Sequence, residues 1–368
     1  MKNVMCFSDN RNDVEIAFRD YMGHYMTEVA KRDGYSYDKS ISFADKEAKM
    51  NKLMMSEISK LSGVNMNNSM VSAEMMASNP MLKWASFAVV DSLIDMIVPE
   101  VIDKSIGVYT EQRYGAMGDS FNFVVEPNDL FYVSKVGRDR RVSEFQKQFP
   151  GQTTVIPENR AISVSVNFYK VVCGQESLAK FVMKAVMSLE AQITKEVYMA
   201  FSTAMAQLPS SPAAAQLTAT GWSQDSAVAI AQRVSAFNGG AEPVFMGTKL
   251  ALSKILPATG AANSGYRYIV DSDYVKVGYL RNFFGYDALE MRQVADWKSP
   301  YKTILDDKKI FVLSASSQKP VKLCYEGSAI TRSYDFNDNA DLEATTTINK
   351  SYGIGIATNA IAGLITLQ

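Results

Sequence analysis

One histidine, three scattered cysteines and a few acidic pairs are all that this 368-residue chain offers to chemistry. A Ser/His/Asp-type triad or a multi-His metal centre needs partners for its imidazole, and His24 is the only histidine. Set between Gly23 and Tyr25, it reads as a surface residue. Cys6, Cys173 and Cys324 form no CxxC pair, which removes zinc-ribbon and dithiol chemistry and leaves each as buried filler in a reducing compartment. No GxxxxGK[ST] loop, GxSxG elbow or HExxH helix is present. The GxG of YGIGIATN lies in a strand pattern, whereas a dinucleotide site needs it in a strand-to-helix turn. Asp271/Asp273, Asp306/Asp307 and Asp335/Asp338/Asp341 lack the spacing, glycine and closing glutamate of a calcium loop and read as caps and turns. The expectation is a chain with no catalytic residues, no cofactor and no metal site, hence not an enzyme.

Composition excludes further classes. Apolar residues make up 47% and charged residues 21%, as in a folded globular chain. Thirty-eight basic residues against 39 acidic ones leave no basic excess for tight binding to nucleic acid or an anionic membrane. The opening stretch MKNVMCFSDNRNDVE is polar too early for a secretory leader. The strongest apolar run, Trp84 to Val98, is interrupted by Asp91 and Asp95 and falls short of the ~20 residues that span a bilayer. It is expected to be a buried helix ending at Pro99.

The information lies in the elements. Residues 121–172 alternate apolar and polar at Phe121, Phe123, Val125 and again at Ile162, Val164, Val166, Phe168, which predicts a long two-armed ribbon. A two-stranded ribbon is marginally stable alone, so its apolar face needs a partner surface. Phe121, Phe123 and Val125 are therefore candidate subunit-contact residues, with Arg138, Arg140 and Arg141 near the tip either solvated or paired with carboxylates of a neighbour. Replacing Phe123 and Val125 by Asp would then leave soluble protein that does not assemble. From Leu178 to Leu208 apolar residues recur every three or four positions up to Pro209, predicting one helix of about thirty residues, roughly 46 Å long.

The flanks differ from each other. Residues 1–83 hold 12 of the 20 methionines and read as a helical arm or assembly segment, with a helix capped by Ser40 or Ser42, running to Leu61 and stopped by Gly63. Residues 84–120 connect the arm to the ribbon, 173–220 carry the long helix, and 221–319 alternate helix and strand. PVFMGTKLALSKIL reads as a buried strand followed at once by a helix capped by Thr248. In YLRNFFGYDALEM, Phe283, Phe284 and Gly285 form a helix-to-strand turn, with aromatics in the core or presented at a subunit contact. Residues 320–368 supply closing strands.

This order of arm, hairpin, long helix, α/β unit and closing strands resembles the major capsid protein of tailed bacteriophages, an α+β architecture called the Hong Kong 97-type fold. The resemblance covers residues 84–368 and is carried by PEVIDKSIGVYTEQRYGAMGDSFNF, the Ile162–Leu208 passage, PVFMGTKLALSKIL, GYLRNFFGYDALEM, DDKKIFVLSAS and SYGIGIATNAIAGLI. It implies an extended loop at 121–172 that overlies a neighbour, a peripheral domain with a spine helix at 173–220, an axial domain at 221–319, and a return to the peripheral domain at 320–368. The partners it implies are copies of the same chain in pentamers and hexamers, with scaffold, portal or decoration proteins. It implies enclosure of double-stranded DNA without sequence-specific contacts, no membrane, assembly in the host cytoplasm and residence in the virion. An encapsulin-type compartment shell, or a phage tail or portal protein, are the alternatives.

Overall fold

The computed structural model describes residues 11–32, 34–65, 79–107, 109–125, 131, 133–135, 145, 147, 150–166, 176–206, 216–255, 277–296, 299, 301–314, 319–333, 344–357 and 360–367. Short polar side chains set its helix starts. Helix α1 (Arg11–His24) runs into one π-helical turn, Tyr25–Val29. Helix α2 (Phe43–Ser62) begins where the Ser42 hydroxyl accepts the Asp45 N–H at 3.2 Å, and it stops at Gly63 with φ 70°, both as read from the sequence. Helix α3 (Pro80–Ile106) begins at Asn79, whose side-chain oxygen accepts from the N–H groups of Met81 and Leu82. Helix α4 (Leu178–Ala206) is the expected long helix. Asn51 of α2 accepts the Ala179 N–H at 3.0 Å, so the arm helps to cap it.

Helix α3 does not end at Pro99. A proline inside a helix costs about 3 kcal/mol through a lost hydrogen bond and a ring clash. Ile97, Val98, Val101 and Ile102 flank it and are all buried. Each contributes roughly 1.5–3 kcal/mol of burial, so continuing the helix wins. Within the expected connector at 84–120, α3 is followed by strand β1 (Thr110–Gly115), which pairs in parallel with Val321–Glu326.

Two sheets carry the rest. The first has the order β1, β10 (Val321–Ser333), β11 (Ala344–Ile356) and β4 (Glu158–Val166). The second has six strands: β5 (Thr218–Thr220), β12 (Gly363–Thr366), β9 (Lys309–Ser314), β6 (Pro243–Gly247), β8 (Tyr286–Glu290) and β7 (Asn282–Phe283). Helix α5 (Gln224–Phe237) covers this sheet, and α6 (Lys249–Leu252) follows β6 with Thr248 as its cap, as expected. The chain's last strand does not return to the first sheet with the rest of 320–368. It crosses to the second, where Gly363 passes so close to Ile230 that a Cβ would meet its Cγ2 at 2.4 Å.

The predicted ribbon is divided. Strands β2 (Phe121–Val125) and β3 (Gly151–Val155) form a two-stranded antiparallel sheet, but the second apolar run, Ile162 to Val166, leaves it for β4 and pairs with β11. Ile162 and Val164 pack against the main core, which a free ribbon arm could not offer them. Residues 11–62 of the arm also belong to that core. Phe18, Tyr21, Met26, Met50 and Met54 are buried against α3 and α4. His24 is accordingly half-buried and not fully at the surface: its ring lies 4.7 Å from that of Tyr37 and 5.5 Å, edge-on, from that of Phe43.

Candidate assembly surface

The ribbon's two faces have opposite fates. Phe121, Phe123 and Val155 close over Cys324 in a small cluster of their own, and Phe123 is 0% exposed. The Arg113 guanidinium sits 4.3 Å from the Phe123 ring centre and donates to the Asn122 carbonyl at 2.7 Å. Burial pushes the Cys324 thiol pKa up, so it is an inert filler, as expected of a cysteine in this chain. Val125 is buried as well. The face expected to lie on a neighbour is thus covered by the chain itself, because β11 and β10 provide a closer apolar seat. Asp at Phe123 and Val125 would place carboxylates in this cluster, so that pair of substitutions disturbs the fold and does not isolate a contact.

Two glycines make the seat. A Cβ on Gly353 would meet the Ile156 carbonyl oxygen at 2.7 Å and the Cys324 sulfur at 2.9 Å, and one on Gly355 would meet Val155 Cγ2 at 2.8 Å. The GxG in the closing strand therefore lets the ribbon's base cross β11 at close range.

What remains open is the other face and the segment beyond it. Among the described residues, seven of the seventeen large apolar side chains left exposed fall between positions 114 and 156. They are Tyr114, Met117, Val124, Phe131, Val133, Phe145 and Ile156, with Val133 and Phe145 both 89% exposed. Arg138, Arg140 and Arg141 lie outside the described residues, as does the acidic Asp335/Asp338/Asp341 segment.

Carboxylates in α3 hold the sheet beneath the ribbon. The β10–β11 register shifts between Glu326 and Ile330, which frees backbone N–H groups from the ladder. Asp95 accepts the Ala329 N–H at 2.8 and 2.9 Å from its two oxygens, and Asp91 accepts the Thr331 N–H at 3.0 Å and the Thr331 hydroxyl. Lys350, 5% exposed at its side chain, reaches Asp95 at 2.5 Å and the Gly327 carbonyl at 3.2 Å. Burial, opposed by the bonds from Thr331, raises the Asp91 pKa to about 6. On the same sheet Lys322 pairs with Glu111 at 2.5 Å. Sequence reading noted Asp91 and Asp95 only as interruptions of an apolar run; two acids a helical turn apart on an otherwise buried helix were the available signal.

The Phe283–Phe284–Gly285 turn splits its aromatics. Phe283 is buried among Trp222 and Phe245, with ring centres at 5.5 and 6.2 Å. Phe284 takes φ 53° and Gly285 φ 85°, a two-residue hairpin turn between β7 and β8 that leaves Phe284 59% exposed. The Asn282 side chain accepts the Gly285 N–H at 3.0 Å and fixes the turn. The turn thus joins two strands where a helix-to-strand turn was expected, with Phe283 in the core and Phe284 exposed to solvent.

No described helix is long and apolar enough to cross a membrane, and among the described residues no cluster of three or more His, Cys, Asp or Glu could hold a metal ion.

Comparison with known proteins gives one family. The family described as "SPbeta prophage-derived putative capsid protein YonB" matches residues 26–366. No protein of curated function matches. Among solved structures, the mature capsid of bacteriophage PhiM1 is 10% identical with a TM-score of 0.46, covering 71% of this chain and 86% of that one. The capsid of cyanophage P-SCSP1u is 9% identical with a TM-score of 0.46 over 71% and 86%. A structure from Mycobacterium phage Bobi is 14% identical with a TM-score of 0.42, covering 69% of this chain and 88% of that one.

Proposed function

Because the chain belongs to the family of SPbeta prophage-derived capsid proteins, we propose that it is the shell-forming subunit of a tailed-phage head, built on the Hong Kong 97-type plan. It is a phage capsid protein by family, and the finer reading concerns how it works. In that reading β2, β3 and the segment between them form the extended loop that lies on the next subunit. Helix α4 is the spine, and the six-stranded sheet is the axial unit that meets its copies in pentamers and hexamers. The role is structural and not catalytic. Copies of this chain are its main partners, joined by scaffold, portal or decoration proteins. The finished shell is assembled in the host cytoplasm and encloses double-stranded DNA without reading its sequence.

The observation that carries the proposal is the concentration of exposed apolar side chains between positions 114 and 156. Exposed apolar groups rimmed by polar surface mark contact sites when they cluster, and a shell repeats each such contact many times. Each need bury only about 800 Å² per partner to be specific. A near-neutral net charge of -1 fits a container whose wall must not hold DNA phosphates tightly.

Negative-stain microscopy of the purified protein, alone and after co-expression with the neighbouring phage genes, tests this. Closed polyhedral shells are the expected result. Tubes or isolated rings would favour a tail or portal part. Shells that exclude DNA and hold a protein cargo would favour an encapsulin-type compartment.

A further inference from the structure

A cleft of about 500 Å³ opens between the arm, the C-terminal end of α3, the middle of α4 and the β8 side of the second sheet. Six cationic side chains line it: Lys31, Arg32, Lys104, Lys249, Arg281 and Arg292. Among the described residues, its carboxylates are Glu190 and Glu290. Lys31 and Lys104 also have outer partners, Glu28 at 3.4 Å and Glu100 at 3.0 Å. Glu100 is shared with Arg19 at 3.0 Å, so with Arg19 and those two acids counted and Arg281 set aside, the described cations outnumber the described carboxylates by two. We propose that this cleft is a binding site for a compact polyanion carrying two or more phosphoryl groups.

Two of the guanidinium groups are held in place. Arg32 is the most covered, pairing with the buried Glu190 at 2.5 Å, while its buried Nε meets no acceptor among the described residues. Arg292, which lines the cleft, donates one nitrogen to the carbonyls of Ala30 and Lys31, at 2.9 and 3.4 Å. Lys31 adopts φ 51°, a conformation that costs a non-glycine residue energy. Partial burial first, and then the nearby Arg32 charge, lower the Arg292 pKa. Two guanidinium groups that repel each other at the mouth of a cleft gain from an anion between them. Lys249 crosses Gly278, where a Cβ would meet its Cε at 2.9 Å, so the glycine leaves its path clear.

The class of ligand follows from charge and size. One carboxylate would leave the surplus uncancelled, and a nucleic-acid duplex does not enter a space of this volume. Guanidinium forks match the paired oxygens of phosphate, and ammonium groups add point charge. Tyr35 and Tyr279 complete the wall.

The probe is sodium tripolyphosphate, titrated into the purified full chain by calorimetry and by thermal unfolding at constant ionic strength. One ion per chain is expected, with a melting midpoint that climbs with the logarithm of its concentration. Lys249→Gln should weaken binding about fivefold, the size of one solvent-screened charge at contact. Glu290→Gln should strengthen it by a similar factor, an outcome that loss of folding cannot imitate. Arg292→Gln should weaken it further but also loosens Ala30 and Lys31, so the other two variants decide. An equal midpoint rise from sodium chloride of matched ionic strength would overturn the proposal. So would affinities unchanged in both Lys249→Gln and Glu290→Gln. Binding of an acidic peptide or a DNA duplex, with the same dependence on these residues and none of tripolyphosphate, would replace the small polyanion by that partner.

Discussion

The six-stranded sheet and the two-stranded ribbon treat their apolar residues in opposite ways. In the sheet, Phe245, Ile310 and Val312 are fully covered by α5 and the neighbouring strands. In the ribbon, the chain covers one face through Phe121, Phe123 and Val155 and leaves Val124 open, as it does Ile156 beside it and Val133 and Phe145 between its strands. Both follow from layer counting. A sheet with a helix on it has two layers and closes a core, whereas two strands on a rim have one face too many. The difference locates two free energies in one chain: the closed layers keep the subunit folded, and the open face is the surface that the proposed function assigns to contacts between subunits.

The comparison fails first if the closed region is not where stability resides. Phe245→Ala removes a ring packed near those of Phe283 and Tyr286 and should cost about 3–5 kcal/mol in urea unfolding of the unassembled subunit. A loss under about 1 kcal/mol would show that the second sheet is not a tight core. Next in size is the charged anchor under the ribbon. Lys350→Met leaves Asp95 buried without its cation while the Ala329 N–H stays bonded, and should cost about 3 kcal/mol by the same measurement. If Lys350→Met is neutral, the ion pair contributes nothing that packing does not replace.

Asp91 sharpens the same point through pH. Its folded pKa, about 6, lies above the ordinary carboxylate value because burial disfavours the charge. Its favourable contribution is therefore complete below about pH 4, and it fades as pH rises through 6, by up to roughly 3 kcal/mol. Neighbouring Asp95 pushes in the same direction and Lys350 opposes it. Asp91→Asn has no such titration. Its stability relative to the unsubstituted protein should rise by about 2 to 3 kcal/mol between pH 4 and pH 7, as read from urea midpoints across that range. A difference that stays flat with pH would mean that Asp91 is solvated and does not carry the bulge.

Much of this architecture was legible in the chain. Ser42, Gly63, Thr248 and the periodic apolar positions of α4 are local signals, and each acts as expected. Pro99 misled because a local penalty was outweighed by four buried aliphatic neighbours that only the tertiary fold supplies. The ribbon was legible as alternating sequence but not as pairing, since alternation does not say which strand lies beside which. Ile162 and Val164 chose β11 over β2. For the same reason the sequence marked Phe121 and Phe123 as contact residues: an apolar stripe looks the same whether its cover is a neighbour or the chain's own β10 and β11. Exposure alone separates Phe283 from Phe284 and Phe123 from Val124.

The smallest effect on folding should come with the largest on assembly. Val133 and Phe145 are 89% exposed, so replacing both with Asp removes no packed contact. Substitutions at such positions change stability by about 0.5 kcal/mol or less. At a subunit contact, however, each would bury a carboxylate with no partner, at a cost of several kcal/mol repeated at every copy. The double variant should therefore unfold at the urea concentration of the unsubstituted protein and yield no particles on size-exclusion chromatography or light scattering. Normal shells from it would move the contact surface away from this segment and leave the open face of the ribbon without a role. A lowered urea midpoint would show instead that these two side chains belong to the subunit's own fold, and the division between closed and open regions would have to be redrawn at the ribbon's base.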